Sequence, residues 1–456
     1  MTKLYFLNSS IFIYKKMIIK TFPHGIHPPE KKVLSASSPI ETLPPPEKVI
    51  IPLLQHFGNP AQPLVKKGDE VSLGQVIGQA EGLFSAHVHS SVSGKVLAVD
   101  NYHHPLGRSL LAVTIANDGQ DRYISSLAGA NDPFSLSPEE IRHLVQEAGI
   151  VGLGGAAFPT AVKLSPPKDK PIDTVIINGC ECEPLLTADY RLMLEYPECI
   201  LKGAELIRIA TSAQKIIIGI EDNKKDAFNL LRQKLKINSI ELALLKTKYP
   251  QGAEKNLIYA LLGREVPRGG LPFDVGVVVQ NVATTKAIWE AVSQGKPLYE
   301  RVITVSGEGI REPKNLLVRI GTPFKTAIDY CGGLKEGVNL LVMGGPMMGV
   351  AQWTLEMPII KGTSGLLAWP FSGPPREFPC IGCGRCLDHC PMNLAPTRLV
   401  KLVQFNHLGE AEDWGILDCV ECGCCQYSCP AKIPLVHWIK QGKDKIISLK
   451  RQKKAK

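Results

Sequence analysis

Eight cysteines near the C-terminus have the types and the spacing for iron–sulfur chemistry. They form two runs of C-x2-C-x2-C-x3-C, and a proline follows the last cysteine of each run. Three closely spaced thiolates can hold three corners of a [4Fe–4S] cluster, while the fourth cysteine of the run ligates the other cluster. The spacing therefore predicts two clusters, the first on Cys380, Cys383, Cys386 and Cys429, and the second on Cys390, Cys419, Cys422 and Cys425.

A pair of zinc sites is the alternative for these cysteines, since zinc also uses C-x2-C spacing. Zinc would leave no role for the third cysteine of each run or for the following proline, so the cluster interpretation is favoured. Cys424 is surplus to the pattern and is expected to be either a thiol packed just outside the cluster ligands or an incidental one. The chain has 13 cysteines and no export signal, which favours metal ligation over disulfides.

A second set of residues suited to chemistry is the glycine-rich run Gly152–Phe158. It matches a dinucleotide fingerprint by its letters, but it follows the predicted helix Ser137–Ala148 instead of a strand, so an ordinary Rossmann site is not expected. Glycines let backbone N–H groups approach a phosphate closely. The residues alone allow either a phosphate cradle or a plain glycine turn.

Two other pairs of side chains could bind metal or carry redox chemistry. Cys180 and Cys182 flank Glu181 at a predicted strand end, where C-x-C spacing is tight for a disulfide and packing is the favoured interpretation. His87 and His89 alternate as on a strand and could ligate a metal, although surface histidines are the commoner explanation. Neither pair defines a site by itself.

The secondary structure predicted to position these residues differs from one region of the chain to the next. Short apolar runs between Pro44 and Gly119 predict a small all-β module. From the capping box at Ser137, strand-like runs alternate with helical stretches, which predicts a parallel sheet covered by helices. The predicted strands of that sheet are Thr174–Asn178, Lys215–Ile220, Glu241–Thr247 and Val275–Gln280. A second β-rich stretch, Arg301–Val350, and a linker rich in proline and glycine, Trp369–Pro379, precede the cysteines.

Length, composition and charge limit how many domains the chain can form and where it can be located. With 456 residues, 44% of them hydrophobic, the chain is expected to form several domains. The net charge of +9 is spread along the chain except in the basic tail, Lys440–Lys456, which predicts solvated disorder or, less favoured, contact with an anionic membrane or acidic partner. No membrane span is expected, because Gly337–Leu355 is broken by Gly344-Gly345-Pro346. Met1–Lys20 does not have the pattern of a signal peptide, and translation can start at Met17.

Several motifs in sequence order carry a resemblance to a known family. Gly152–Leu164, Asn178–Pro184, Gly252–Glu254, Pro267–Phe273 and Gln280–Thr284 resemble the FMN and NADH segments of the NADH-binding flavoprotein subunit of complex I. Val65–Gly78 and Val92–Val96 resemble the barrel-sandwich fold of lipoyl and biotinyl domains, without the modifiable lysine. From Met17 to the tail the chain resembles the RnfC subunit of the Rnf/Rsx ion-translocating electron-transport complex.

This resemblance implies a multidomain α/β protein. The implied domains are an N-terminal extension and lead-in (1–43), a barrel-sandwich hybrid (44–125), a parallel α/β domain binding FMN and NADH (137–297), a small β-grasp, SLBB-like domain (300–352), a two-cluster ferredoxin-type helical domain (368–440) and a basic tail (441–456). The implied cofactors are two [4Fe–4S] clusters and non-covalent FMN, with NAD(H) as substrate.

The resemblance also implies roles for single residues and for the whole chain. FMN would contact Gly154, Gly155, Lys163, Asn178, Glu181, Asn281 and Thr284. NADH would contact Phe158, Glu183, Glu254 and Phe273. The chain would be an NAD(H)-linked oxidoreductase subunit, peripheral on the cytoplasmic face of the membrane, with the other subunits and ferredoxin as partners and no nucleic acid.

Two departures and two alternatives remain at this point. Cys180 replaces an acidic residue of the complex I pattern and Ala253 replaces a glutamate, so the nicotinamide pocket cannot be copied as a whole. A cobalamin reductase would have similar flavin and cluster parts, but is expected to lack the β module before residue 137. A structural electron relay would use the clusters alone, and flavin retention distinguishes it from the other two.

Overall fold

A computed structural model describes residues 18–124 and 128–454. Residues 1–17 of the predicted extension and lead-in, including the alternative start at Met17, lie outside the described residues. Within those ranges no helix is both long enough and apolar enough to cross a membrane.

The first described segment is extended and contacts the later domains before the barrel-sandwich module starts. Lys20 forms a β-bridge with Leu245, and Ile26 forms one with Tyr249. A short 3-10 helix, Lys32–Leu34, and strand β1, Ile40–Thr42, follow. This lead-in therefore lies against the later domains instead of projecting into solvent.

The barrel-sandwich module consists of two small antiparallel sheets packed face to face. Its strands are β2 (Lys48–Pro52), β3 (Gln62–Pro63), β4 (Glu70–Val71), β5 (Val76–Gln79), β6 (Val88–His89), β7 (Gly94–His104) and β8 (Arg108–Asn117). One sheet has the order β2-β8-β7-β4 and the other has the order β3-β5-β6. Branched apolar side chains such as Val49, Ile51, Ile77 and Val113 alternate inward and fill the space between the sheets.

The central domain is a four-stranded parallel sheet with helices on both faces. Its strands are β9 (Thr174–Gly179), β10 (Lys215–Glu221), β11 (Ile240–Leu245) and β12 (Val277–Asn281), in the order β11-β10-β9-β12. Its helices are α1 (Pro138–Glu147), α2 (Thr160–Lys163), α3 (Ala188–Glu195), α4 (Pro197–Thr211), α5 (Lys225–Lys234), α6 (Glu254–Leu262) and α7 (Val282–Gln294). The predicted alternation of strands and helices is confirmed.

Local sequence explains where the first of these helices starts and ends. The Ser137 hydroxyl accepts from the Glu140 backbone N–H while the Glu140 carboxylate accepts from the Ser137 N–H, and Pro138 occupies the first helical position. Gly149 has a φ of +61°, a conformation that suits glycine after a helix C-terminus. The predicted capping box is therefore formed.

The strands within the predicted β-grasp span, 300–352, belong to a larger sheet. This sheet contains β13 (Glu300–Ser306), β14 (Lys314–Arg319), β15 (Leu340–Met343), β16 (Val350–Gln352) and β17 (Gly365–Trp369), with helix α8 (Phe324–Tyr330) against it. The order is β1-β14-β13-β17-β15-β16. Strands β1 and β17 lie outside the predicted span because each completes an edge or a gap that local sequence does not reveal.

The cysteine domain is helical, as predicted. It contains α9 (Arg385–Asp388), α10 (Pro396–Gln404), α11 (Leu408–Asp413), α12 (Cys424–Ser428) and α13 (Leu435–Lys454). The expectation of a disordered tail is wrong for its described part, since α13 continues to Lys454. Ile439 and Ile446 are buried on one face of that helix, and Lys443 donates to the Cys419 carbonyl oxygen at 2.7 Å.

Candidate functional site

The carboxyl edge of the parallel sheet carries the predicted polar residues at the point where strand order reverses. Strand β9 lies between β10, which follows it in the chain, and β12, which returns from the far side. Asn178 at the end of β9 is the register partner of Asn281 at the end of β12. Open parallel sheets bind ligands outside such a switch point, because the chain connections leave it on opposite faces.

The glycine-rich loop lies directly over this point. A side chain at Gly154 would begin 3.4 Å from the Cβ of Asn281, and Gly155 has a φ of +117° with open space where a side chain would be. The Thr284 hydroxyl, buried in the first turn of α7, accepts from the Leu153 N–H at 2.9 Å. The loop is thus fixed to α7 on one side and leaves free volume at Gly155.

The two asparagines are held by partners within the folded chain. Asn281 caps α7 by accepting from the Ala283 N–H at 2.8 Å, and its amide donates to Asp189 at 2.6 Å. Asn178 donates to the Gly252 carbonyl oxygen at 2.9 Å and accepts from the Cys180 N–H at 3.0 Å. Their positions are therefore set before any ligand arrives.

Glu181 has a buried carboxylate oxygen at this edge that accepts no hydrogen bond. Its Oε1 accepts from the Asp189 N–H at 2.8 Å, whereas its Oε2 is buried and accepts no hydrogen bond. The ammonium of Lys32 is 3.8 Å from Oε2. Burial, and then the nearby Glu181 carboxylate, raise the pKa of Asp189 to about 7. A buried acceptor without a donor suits a ligand with ring N–H groups, so these residues fit a flavin.

Lys163 and Glu254 were predicted for different ligands but contact each other. The Lys163 ammonium is 2.7 Å from Glu254 Oε1 and 3.3 Å from the Val279 carbonyl oxygen. Both side chains are partly exposed. The Lys163 ammonium can bind a phosphate only if it exchanges its contact with Glu254 for one with the phosphate.

The remaining residues predicted for NADH lie in different surroundings. Phe158 stacks on Phe57 of the barrel-sandwich module, with ring centroids 5.7 Å apart. Phe273 is partly buried, with the Lys170 ammonium 5.2 Å from its ring centre. Glu183 accepts from the backbone N–H groups of Met347 and Met348, each at 3.0 Å, and burial raises its pKa to about 7. The structure thus ties Glu183 to the loop between β15 and β16.

The cysteines predicted for the second cluster lie around one cavity. It is lined by Cys390, Cys419, Cys422 and Cys425 together with apolar side chains that include Leu394 and Val436. The Cys390 sulfur accepts from the Leu394 N–H, and the Cys419 sulfur accepts from the Glu421 N–H, both at 3.4 Å. Four thiolates around an apolar cavity, with backbone donors aimed at the sulfurs, suit a [4Fe–4S] cluster.

The cysteines predicted for the first cluster differ in exposure. Cys380 and Cys383 are exposed, whereas Cys386 and Cys429 are buried in the same apolar core. Among the described residues, no three His, Cys, Asp or Glu side chains are arranged to hold a single metal ion. The site predicted for the first cluster therefore has two thiols at the protein surface and two inside.

A short set of contacts joins the sheet edge to the cysteine cavity. The Tyr249 hydroxyl donates to the Cys422 carbonyl oxygen at 2.7 Å, and the Cys424 thiol donates to the Tyr249 carbonyl oxygen at 3.8 Å. Cys182 and Met347 pack against the small buried core that Tyr249, Cys422 and Cys424 form. Cys424 is therefore a buried thiol in the interface between the two domains.

The structure decides the other two candidate pairs. Cys180 and Cys182 are free thiols that bond to backbone groups of Gly219 and Gly252, as the packing interpretation predicts. The expectation that His87 and His89 lie on the surface is wrong, since both are buried. They lie in the module interface, where the buried Lys361 ammonium donates to the His87 carbonyl oxygen at 2.7 Å.

Sequence reasoning missed Lys32, Asp189 and Tyr249. Lys32 comes from the lead-in and donates to the carbonyl oxygens of Glu183 and Leu186, at 3.0 and 2.6 Å. Asp189 lies in the first turn of α3, and no motif around it distinguishes it from an ordinary acidic residue at a helix N-terminus. These residues reach the site only through tertiary contacts.

The fold and the site define a class of electron-transfer protein with a flavin-type switch-point site beside a two-cluster cysteine domain. Family comparisons agree with this class. Residues 20–120 match the RnfC barrel sandwich hybrid domain, 145–290 the Nuo51 FMN-binding domain, 302–351 the SLBB domain, and 376–430 the 4Fe-4S dicluster domain. The cofactors of the chain are accordingly FMN and two [4Fe–4S] clusters.

Similar proteins cover almost the whole chain. The C subunit of a proton-translocating ferredoxin:NAD(+) oxidoreductase complex from Clostridium ljungdahlii is 48% identical, over 96% of this chain and 97% of its own length. Its Na(+)-translocating counterpart from Acetobacterium woodii is 45% identical, over 95% and 98%. The C subunit of an ion-translocating oxidoreductase complex from Rhodobacter capsulatus is 41% identical, over 92% and 82%.

The chain therefore belongs to the RnfC family, the C subunits of the Rnf-type ion-translocating oxidoreductase complexes. The resemblance predicted from its motifs is confirmed. Membership of this family favours the leading interpretation over a cobalamin reductase, and the FMN-binding match favours it over a relay with clusters alone.

Proposed function

We propose that this protein is a peripheral subunit that transfers electrons between NAD(H) and the membrane subunits of an ion-translocating complex. The observation that carries the proposal is the Tyr249–Cys422 hydrogen bond, because it joins the edge of the FMN-type sheet to the wall of a cysteine cavity. Direct contact between the domain of the proposed flavin site and the domain of the proposed clusters suits electron transfer within one chain. Ferredoxin and NAD(+) appear in the names of two relatives, which supports them as the outer redox partners.

The proposed FMN site uses backbone and side chains of one edge. When bound there, FMN would exchange a hydride with NAD(H) and pass electrons on singly. Gly154 and Gly155 would let backbone N–H groups approach the phosphate, and Lys163 would add charge after leaving Glu254. Asn178 and Asn281 would flank the ring, and Glu181 Oε2 would accept from it. Thr284 would hold the loop in place through the Leu153 N–H.

The proposed NADH site lies on the outer side of the same loop. Phe158 offers an aromatic face, and Glu254 offers a carboxylate that can accept from ribose hydroxyls. Phe273 ends Pro267–Phe273, one of the segments that resemble the complex I flavoprotein subunit. Glu183 would act at the border with the β-grasp domain, where its carboxylate also holds two backbone N–H groups.

In the proposed clusters, the last cysteine of each run ligates the cluster that the other run holds, and we call this the crossed arrangement. The Cys390, Cys419, Cys422 and Cys425 set faces Tyr249, which puts it beside the flavin domain in this proposal. The other set has Cys380 and Cys383 at the surface, which suits electron exchange with another subunit. The proposed location is the cytoplasmic face of the membrane, and the other subunits of the complex are the partners that hold the chain there.

Anaerobic reduction by NADH tests the function. The chain would be purified with reconstituted clusters, with and without FMN, and cluster reduction would be followed by visible and EPR spectroscopy. Reduction that needs FMN, with spectra of two [4Fe–4S] centres, is the expected result. Clusters that form but stay oxidised, with no flavin retained, would leave the chain as a relay and refute the proposed NAD(H) chemistry.

A further inference from the structure

Three phenylalanines from two domains meet beside the glycine-rich loop. Phe57 and Phe84 belong to the barrel-sandwich module, and Phe158 belongs to the loop itself. The rings of Phe57 and Phe158 are stacked, with centroids 5.7 Å apart and planes 23° apart. Phe84 stands edge-on to both, with centroids 6.3 Å from Phe57 and 5.8 Å from Phe158. We call these three residues the aromatic cluster.

The backbone holds the aromatic cluster in place. The Phe57 N–H donates to the Ala157 carbonyl oxygen at 3.0 Å, which ties the module to the glycine-rich loop. The Asn59 N–H donates to the Phe84 carbonyl oxygen at 2.8 Å. Gly58, with a φ of +115°, allows this approach, because a Cβ there would lie 2.0 Å from the Phe84 oxygen. The rings are therefore positioned by main-chain contacts.

The aromatic cluster remains open to solvent despite these contacts. Phe57 is 60% exposed and Phe84 is 40% exposed. If Phe57 and Phe84 served only to pack the two domains together, the domain interface would cover their rings. The open side combines the flat face of Phe57 with the edge of Phe84 at 83° to it, which gives a floor and a wall for a flat apolar ring.

We infer that the barrel-sandwich module completes the dinucleotide site, with Phe57 stacking on the adenine of NAD(H), Phe84 bounding it, and Phe158 lining the same site while its ring packs against Phe57. The inference rests on the proposed function, because the glycine-rich loop that carries Phe158 is also the proposed FMN loop. An adenine is a flat heteroaromatic ring, and stacking on aromatic side chains is a sizeable part of the affinity for such rings. Phe57 is then a binding residue supplied by a domain outside the FMN fold.

A comparison of NADH with reduced nicotinamide mononucleotide tests this role, because the second substrate has no adenine. The enzyme with FMN bound would be assayed with ferricyanide as acceptor. Phe57→Leu keeps an apolar side chain against Phe158 but removes the flat face. It is expected to raise the KM for NADH about tenfold and to leave kcat and the KM for the mononucleotide unchanged. Phe57→Trp is expected to restore the NADH value.

Phe134→Leu is the matched control. Phe134 is 41% exposed and stacks on Trp289 with centroids 5.9 Å apart, in the second half of α7, whereas the glycine-rich loop is bonded to the first turn of that helix. It is expected to leave both KM values unchanged. A Phe57→Leu variant that raises both KM values equally, or neither, would overturn the adenine role.

Binding of ADP-ribose, measured by calorimetry, separates this inference from the proposed function because it requires no hydride transfer. Phe57→Leu is expected to weaken it about tenfold. Unmodified protein that binds ADP-ribose through Phe57 but does not oxidise NADH would refute the proposed function alone. Unmodified protein that oxidises NADH but binds ADP-ribose equally well with and without the Phe57 ring would refute the inference alone.

Discussion

Removing cysteines two at a time tests how the two runs share their clusters. Cys390 belongs to the first run in sequence, yet it lies around one cavity with three cysteines of the second run, Cys419, Cys422 and Cys425. In the crossed arrangement, Cys380→Ala with Cys429→Ala removes two ligands from one cluster and leaves the other complete. Cys380→Ala with Cys390→Ala removes one ligand from each cluster.

The two double variants therefore differ in the number of intact clusters. The first is expected to keep about one intact [4Fe–4S] cluster per chain, and the second about none, since a complete set of four thiolates survives only in the first. Spin quantitation by EPR of the reduced protein, with iron and sulfide analysis, gives the count. If each run held its own cluster the two results would be exchanged, and that exchange would refute the crossed arrangement.

Three further predictions concern charged residues. Glu221→Gln leaves the Lys224 ammonium buried without its ion partner and should cost about 3–5 kcal/mol in the free energy of unfolding. Calorimetric melting should show that loss, whereas Asp329→Asn, which breaks an exposed ion pair, should cost less than about 1 kcal/mol. Burial raises the pKa of Glu183 to about 7, so the folded state favours the protonated acid. Raising the pH from about 4.5 through 7 should lower the melting temperature of the natural protein relative to Glu183→Gln. Lys163→Gln should weaken FMN binding about tenfold, measured by the fluorescence of released flavin, and unchanged binding would exclude Lys163 from the phosphate site.

Much of the fold could be predicted because its signals are local. The capping box at Ser137 and the apolar runs of β9 and β10 need only their neighbours in sequence to specify a helix and two strands. The helix through the basic tail was missed because lysine is read as solvated charge, although it is also a good helix former. Its burial depends on Ile439 and Ile446, whose partners lie in other helices.

The candidate site could be predicted only where several of its residues lie close together in sequence. The cysteine runs and the glycine-rich loop are such segments. The burial of His87 and His89, and the arrival of Lys32 and Phe57, depend on how whole domains meet. A single sequence has no local pattern that reports such contacts, so the outer wall of the site could not be assigned from it.

The position of β1 in the β-grasp sheet has a consequence for how the chain is made. Ile40–Thr42 pairs with residues 315–317, so this early strand leaves the ribosome long before its partner exists. Until then it has an unpaired edge, and the sheet can close only after two whole domains have been synthesised. The cysteine runs emerge later still. Clusters are therefore inserted into a chain whose upstream domains can already be folded, with the lead-in already bound to the central and β-grasp domains.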